Sequence, residues 1–199
     1  MTMARCRDTE ELHGVKSLFI AHGKERLWAH SKAVARGIAP IAAQYGLTPA
    51  PCRVAALCHD IAGILSPVEM LQKARESGME LDPAEEKYPS LLHQRLSSRW
   101  CADRLGITDT AVLSAVGCHT TLKAGATAMD MALFLAGKLY WDGPGAPPYE
   151  AVVRKELTIS LERACLAYID YVLAHGMILM PHRWLMEARG WLIPFSVSF

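Results

Sequence analysis

Apolar residues recur along almost the whole chain at the spacing of one helix face. The segment from about Lys24 to Gln44 shows this most clearly, because its apolar positions lie three, four or seven residues apart: Leu27, Val34, Ile38 and Ile41. No stretch of useful length alternates apolar and polar residues as a half-buried strand does, and no internal repeat is present. The pattern predicts an all-α protein with about eight helices.

Polar residues mark where several of these helices begin. Ser66 is followed by Pro67 and, three residues on, by Glu69, which together give an N-cap, a proline at the first helical position and a capping box. Residues 82–88 are polar and are expected to form a loop or a short turn. Three further polar residues are expected to act as N-caps: Ser90, Asp109 and Thr127.

A run of glycine and proline at residues 142–148 is the clearest interruption of the helical pattern. After it we expect one long helix from about Tyr149 to His175 and a last helix that ends near Trp191. The run is too short to separate independent domains. We therefore predict a single domain over residues 1–199, a helical bundle with a core at about 24–142 and closing helices at about 149–192.

Composition narrows the classes of function. The chain has 199 residues, 51% of them apolar, with 21 basic and 20 acidic residues scattered along it, so neither a nucleic-acid surface nor a membrane-binding patch is predicted. No apolar run is long enough to span a membrane. The six cysteines form no C-x-x-C pair and no secretory signal is evident, so we expect reduced thiols and a cytoplasmic protein.

Five ligand-type residues lie within apolar stretches of sequence, which predicts that their side chains point inward: His30, His59, Asp60, His93 and His119. Buried imidazoles and carboxylates are costly unless they are paired, hydrogen-bonded or bound to a metal ion. Imidazole suits transition metals, and one aspartate can bridge two cations that activate water and hold a phosphoryl group. A single inward histidine is more often a satisfied core residue, so the metal hypothesis depends on the whole set. The other four histidines are expected to be surface, capping or core residues: His13, His22, His175 and His182.

Four stretches, taken in order, resemble the HD superfamily of metal-dependent phosphohydrolases, and most closely its YqeK-type branch, the symmetrical diadenosine tetraphosphate hydrolases of bacteria. They are Arg26-Leu27-Trp28-Ala29-His30-Ser31, Ala56-Leu57-Cys58-His59-Asp60-Ile61-Ala62, Leu91-Leu92-His93 and Cys118-His119-Thr120-Thr121. The resemblance covers nearly the whole chain, since the segment from Ala164 to Leu192 is also similar. It implies a dinuclear divalent transition-metal centre, with iron the first candidate and manganese or others as alternatives, which cleaves diadenosine tetraphosphate into two ADP.

The resemblance also assigns roles to residues. His30, His59 and Asp60 would bind one metal ion, and Asp60 would bridge to a second ion held by His93 and His119, with Asp60 and His93 as the catalytic residues. Four residues are expected to contact the nucleotide substrate: Arg26, Thr120, Thr121 and Lys123. A small-molecule nucleotide is therefore the expected partner. The apolar C-terminus, with Trp184, Trp191, Ile193 and Phe195, is either core or the surface of a homodimer.

The chain departs from the family pattern at four positions: Gly63 stands where the family usually has lysine, Gln94 and Leu122 stand where it has glycine, and the fourth position is Gly137. Gly137 stands where the family has a metal-binding aspartate, and Asp142 or, less favourably, Asp130 is a candidate substitute. Three hypotheses remain open in decreasing order: a phosphohydrolase, a catalytically degenerate HD domain that binds metal or nucleotide as a sensor or interaction module, and a helical bundle with histidines in its core.

Overall fold

The helical pattern of the sequence folds into a bundle without strands in the described part of the chain. The computed structural model describes residues 14–141 and 143–196. The α-helices there are α1 (residues 14–21), α2 (Glu25–Gln44), α3 (Pro49–Cys58), α4 (Pro67–Glu76), α5 (Pro83–Lys87), α6 (His93–Asp103), α7 (Thr110–Cys118), α8 (Ala128–Leu139), α9 (Glu150–Leu157), α10 (Leu161–Ala174) and α11 (Arg183–Leu192). Short 3-10 turns cover Ile61–Ile64, Pro89–Leu92 and Ile193–Ser196. The predicted all-α fold class is confirmed.

Helix α8 is the centre of the bundle. Its residues 129–136 are all buried, and it packs against α2, α7 and α10. A helix that is apolar on every side is stable in water only when other helices surround it. The sequence of α8 therefore places it in the core and arranges the other helices around it.

The predicted helix starts at Ser66, Asp109 and Thr127 are confirmed. Ser66 and Thr127 each accept a hydrogen bond from the backbone N–H three residues later, and the acidic residue at that position completes a capping box. Asp109 accepts from two N–H groups in the first turn of α7. Side chains that satisfy unpaired N–H groups locate the start of a helix from local sequence alone.

Three predictions of local structure are wrong. Residues 82–88, expected to form a loop or a short turn, contain helix α5 with Asp82 as its N-cap. Ser90 lies inside the 3-10 turn Pro89–Leu92 and does not cap α6, which begins at His93. The long helix expected from about Tyr149 to His175 is divided into α9 and α10. Ser160 is extended and caps α10 by accepting from the N–H of Arg163, so the chain turns at residues 158–160 although apolar residues continue on both sides.

The C-terminal end of α8 packs tightly against α2 through a glycine. A Cβ atom on Gly37 would lie 2.1 Å from the ring of Tyr140, so only glycine leaves room for this ring. Tyr140 thereby sets how closely the last turn of α8 approaches α2, the helix that carries His30.

No single helix in the described residues is long and apolar enough to cross a membrane, although Pro49–Ile64 and Pro67–Glu76, bent by 101°, pass the length and composition test as a pair. The described cysteines are all buried and form no disulfide, in line with the expected reduced thiols: Cys52, Cys58, Cys101, Cys118 and Cys165.

Candidate metal centre

Five side chains from four parts of the fold meet at one end of the bundle, and we call them the histidine–aspartate cluster: His30, His59, Asp60, His93 and His119. His30 lies within α2, whereas His59 and His119 are the residues that end α3 and α7. Asp60 follows His59 directly, and His93 begins α6. Helix ends are suited to this convergence because several of them can point at one position.

The Asp60 carboxylate divides the cluster into two halves. Its Oδ2 atom lies 3.4 Å from His59 Nε2 and 3.9 Å from His30 Nε2. Its Oδ1 atom lies 3.2 Å from His93 Nε2 and 3.4 Å from His119 Nε2. Each half offers three ligand atoms within 4.8 Å of one another, which is the size of a metal site. The cluster fits two such sites that share one carboxylate.

Three of the four imidazole rings are oriented by the same local contact. In each, Nδ1 donates to the backbone carbonyl three residues earlier, at 2.7 Å in His59, 2.6 Å in His93 and 2.7 Å in His119. The last carbonyls of a helix have no intrahelical partner, so His59 and His119, at the C-terminal ends of α3 and α7, each satisfy one of them. With the proton on Nδ1, each Nε2 presents a lone pair toward Asp60. Metal-binding histidines are commonly oriented in this way.

The distance between two of these nitrogens tests whether the residues fit a cation. His93 Nε2 and His119 Nε2 lie 2.9 Å apart, although both rings use their Nδ1 proton elsewhere. Two lone pairs at this distance repel each other unless a proton or a metal ion lies between them. Nitrogen atoms bound at about 2.0–2.1 Å to one ion, at about 90–109°, lie about 2.9–3.4 Å apart. The pair therefore matches the spacing of two ligands on a shared metal ion.

Electrostatics put the cluster in the protonation state that metal binding needs. Burial lowers the pKa of His59, and it lowers the pKa of His119 to about 3, so both rings are neutral. Burial alone would raise the pKa of Asp60, but its contacts with His59, His119 and His93 hold that pKa well below its usual range. Burial also opposes a charge on His93, yet its hydrogen bond and attraction to Asp60 raise the pKa of that ring. An ionised carboxylate among mostly neutral imidazoles is a set ready to bind a cation.

The sequence matches the family described as "HD domain" over residues 27–175, which includes every member of the cluster. This chain belongs to the HD domain family. It is 39% identical over 136 residues to the "uncharacterized protein in pepC 5'region" of Lactococcus lactis subsp. cremoris, covering 68% of this chain and 69% of that protein. Its fold matches the crystal structure, at 1.50 Å resolution, of the predicted HD superfamily hydrolase involved in NAD metabolism from Clostridium acetobutylicum. That match has a TM-score of 0.80 at 24% identity and covers 92% of this chain and 97% of the other.

One departure from the family pattern, Gln94, organises the turn that follows His119 in this HD domain. The fully buried Gln94 accepts with Oε1 from the backbone N–H of Thr120 at 3.0 Å and of Thr121 at 3.2 Å. Its amide nitrogen also donates to the Thr121 hydroxyl at 3.1 Å. The next residue, Leu122, is fully buried and has φ 60°, a left-handed conformation that favours glycine. Gln94 and Leu122 thus occupy one tightly bonded turn beside the cluster.

The expected substrate-binding residues lie in different surroundings. The Thr120 hydroxyl is 3.1 Å from His93 Nε2, at the cluster, whereas the buried Thr121 hydroxyl is bonded to Gln94 and to the carbonyl of Leu122. Lys123 donates to the Ser114 hydroxyl at 2.7 Å, and Arg26 is exposed in the first turn of α2, one turn before His30. Contact of these residues with a nucleotide stays a prediction, and Thr120 has the most direct support from geometry.

The aspartate missing at Gly137 is not replaced by Asp130. The fully buried Asp130 carboxylate accepts from the Ser114 hydroxyl at 2.7 Å and from the Thr127 N–H at 2.9 Å, and it lies 3.8 Å from the Lys123 ammonium. It is therefore committed to the start of α8. Asp142, the other suggested substitute, lies outside the described residues. Among the described residues, a side chain added at Gly137 would begin in open space, with no atom within 4 Å of its Cβ.

At Gly63, the fourth position that departs from the family pattern, a side chain of the neighbouring helix α2 occupies the space beside the glycine. A Cβ atom there would lie 2.6 Å from Leu27 Cδ2, so the leucine occupies the space in which a side chain at residue 63 would begin.

Sequence reasoning missed Lys138, which follows Gly137 directly. Its ammonium donates to the carbonyl of Thr120 at 3.1 Å and lies over the rings of Phe134 and Tyr168, 5.0 and 5.5 Å from their centroids. Burial lowers the pKa of Lys138 to about 8, against the attraction of Asp60. The available signal in the sequence was a lysine near the end of an otherwise apolar helix, because a lysine in a buried helix normally has a partner for its charge.

Proposed function

We propose that this chain is a metal-dependent phosphohydrolase that acts on nucleotides or dinucleoside polyphosphates, with the symmetrical hydrolysis of diadenosine tetraphosphate to two ADP as the specific reaction. The observation that supports it is the division of the Asp60 carboxylate between two histidine pairs, Oδ2 toward His59 and Oδ1 toward His93. A bridging carboxylate between two nitrogen-rich sites is the arrangement that two-metal phosphoryl chemistry uses.

The metal ligands in this proposal are the members of the cluster. His30, His59 and Asp60 form one site, and Asp60, His93 and His119 form the other. The cofactor is a divalent transition metal, with iron as the first candidate because imidazole and carboxylate suit it. Two divalent ions would make a bound water more acidic and would neutralise charge on the phosphate oxygens.

The protein side chains have distinct tasks in this reaction. The exposed fraction of the side chain is 21% for His93 and 2% for His59, so the substrate approaches from the His93 side of the cluster, where the Thr120 hydroxyl also lies. Asp60 stays ionised and, with His93, holds the reacting centre in place. Water adds to the phosphorus atom on one side of the central P–O–P bridge, and the bridge oxygen leaves with the second ADP.

A second candidate function, a non-hydrolytic HD domain that senses metal or nucleotide, is favoured by one observation. Gly137 offers no carboxylate, and Asp130 is held by Ser114 and Thr127 instead of facing the cluster. A metal ion that lacks one protein ligand binds more weakly, because each carboxylate supplies both a bond and a compensating charge.

Metal content and hydrolysis together test the proposed function. Protein purified without a histidine tag is assayed for bound iron, manganese and zinc, and then for ADP release from diadenosine tetraphosphate and for products from other nucleotides. Asp60→Asn should lower both metal content and turnover, the latter by more than about a hundredfold, because even outer ligand-shell changes cost about 10–100-fold. His175→Ala is the matched control, since His175 is exposed and stacks on Tyr171 outside the cluster.

The results separate the two candidates. Turnover that disappears in Asp60→Asn supports the hydrolase, whereas ligand-dependent thermal stabilisation with no product from any nucleotide supports the sensor. Gly137→Asp addresses the missing ligand, since a side chain there begins in open space. A gain of metal content and activity in that variant would show that the absent carboxylate limits the wild-type protein.

A further inference from the structure

The ammonium group of Lys138 lies beside the cluster with an incomplete set of partners. Its one hydrogen bond is to the carbonyl of Thr120, at 3.1 Å, and a lysine ammonium has three N–H donors. In the part of the chain that the structure describes, no carboxylate lies within ion-pair distance of it. The rings of Phe134 and Tyr168 lie 5.0 and 5.5 Å from it, and Lys138 is only partly buried. Two donors thus remain for an acceptor that comes from outside the chain.

Thr120 connects this ammonium to the cluster. The carbonyl of Thr120 accepts from Lys138, and the hydroxyl of the same residue lies 3.1 Å from His93 Nε2. Thr120 is therefore the single residue between the ammonium and His93, which has the most exposed imidazole of the cluster and lies on the side from which a substrate would approach. A partly desolvated positive charge without an ionic partner is costly unless a ligand supplies one.

We propose that Lys138 binds a phosphate oxygen of the nucleotide that occupies the cluster. This rests on the proposed function for the identity of the ligand, but the reasoning requires only that the ligand carry a phosphate next to His93. The two unused N–H donors and the nearby Thr120 hydroxyl together form a small anion site, and charge-assisted hydrogen bonds from an ammonium to phosphate are among the strong ones. Lys123, by contrast, is oriented toward Ser114 and Asp130.

A purely structural role for Lys138 is the rival explanation, since its hydrogen bond joins α8 to the turn after α7. Three variants distinguish the two. Lys138→Met keeps the aliphatic stem and removes the ammonium, whereas Lys138→Arg keeps a positive charge. Lys155→Met removes the charge of an exposed lysine in α9, a helix that contributes no residue to the cluster.

Calorimetric binding of ADP to the manganese-loaded protein is the test, with thermal unfolding measured on the same samples. We expect Lys138→Met to weaken ADP binding by about tenfold to a hundredfold, the range for a lost hydrogen bond to a charged group. Lys138→Arg should recover much of this loss, and Lys155→Met should stay within about threefold of wild type. Binding of adenosine, which has no phosphate, should be the same in Lys138→Met and wild type.

Three results would overturn the proposal: no ADP binding by wild type, ADP binding by Lys138→Met within twofold of wild type, or an equal loss of ADP and adenosine binding. Hydrolysis assays keep this outcome separate from that of the proposed function. Turnover with unchanged kcat and KM in Lys138→Met would refute the role of Lys138 and leave the hydrolase in place. Lys138-dependent ADP binding without turnover in wild type would do the reverse.

Discussion

The left-handed turn at Leu122 allows a prediction in which the usual order of two substitutions is reversed. Leu122 has φ 60° and is fully buried, so it combines an unfavourable backbone with a favourable side chain. The left-handed conformation costs a residue with a Cβ about 1–2 kcal/mol, and glycine escapes this cost. A buried leucine contributes about 2–5 kcal/mol relative to alanine.

These magnitudes predict the stabilities of two variants. Leu122→Ala loses the side chain and keeps the strain, so its free energy of unfolding should fall by about 2–5 kcal/mol. Leu122→Gly loses the same contacts but relieves the backbone strain. The greater freedom of glycine in the unfolded chain lowers the stability of this variant by about 0.5–1 kcal/mol, which offsets part of the gain. The glycine variant should therefore be more stable than the alanine variant by about 0.5–1 kcal/mol.

Urea unfolding followed by circular dichroism measures both values, provided that the dependence on urea is the same in the two variants. Leu135 is the matched control, because it is equally buried but lies in the interior of α8. There the alanine variant should be the more stable of the two by about 1 kcal/mol, as in any helix interior. The reasoning fails if glycine is the worse replacement at both positions by a similar amount.

Burial lowers the pKa of His119 to about 3, whereas an unfolded histidine titrates near 6.5; only the unfolded chain gains the proton between these values. The free energy of unfolding of the metal-free protein should therefore fall by about 1.4 kcal/mol per pH unit because of this residue, as the pH falls from about 6 to 4. If the free energy of unfolding of a His119→Asn variant changed with pH as steeply as that of wild type, this prediction would be contradicted. Gln94→Ala should lower the free energy of unfolding by about 1–3 kcal/mol, because the N–H groups of Thr120 and Thr121 lose their acceptor; a loss below about 0.5 kcal/mol would argue against it. Gly37→Ala should cost about 1–3 kcal/mol in wild type but much less in a Tyr140→Ala background, since the ring causes the overlap; equal costs in both backgrounds would refute that cause.

Local signals in the sequence were sufficient for much of the fold. Ser66, Asp109 and Thr127 could be identified as helix starts because an N-cap bonds to N–H groups two or three residues away. The break at residues 158–160 could not, because apolar residues continue through it and Ser160 differs from an ordinary helical serine only in its backbone angles. The apolar pattern reports which residues are buried, and one continuous buried face is compatible with one helix or with two.

The members of the cluster could be predicted individually, but their arrangement could not. Each lies within apolar sequence, and this feature is local. The allocation of one Asp60 oxygen to His59 and the other to His93 depends on how the turn after Asp60 packs against α6, across 33 residues of chain. The contact of Lys138 was missed for the same reason: its place near the end of an apolar helix is visible locally, but its partner Thr120 lies on another segment of the chain.

The four departures from the family pattern do not bear equally on catalysis. Where the resemblance leads us to expect glycine, this chain has Gln94 and Leu122, and the structure joins the two: the Gln94 amide braces the N–H groups of the turn that Leu122 strains. They amount to one structural change, and it leaves the orientation of His119 to its own contact with the carbonyl of Val116. Gly63 is compensated in space by Leu27, although that leucine brings no charge. Gly137 alone removes a ligand-type group without a described replacement, so the choice between a hydrolase and a sensor depends on this position, and the Gly137→Asp variant is the substitution that can decide it.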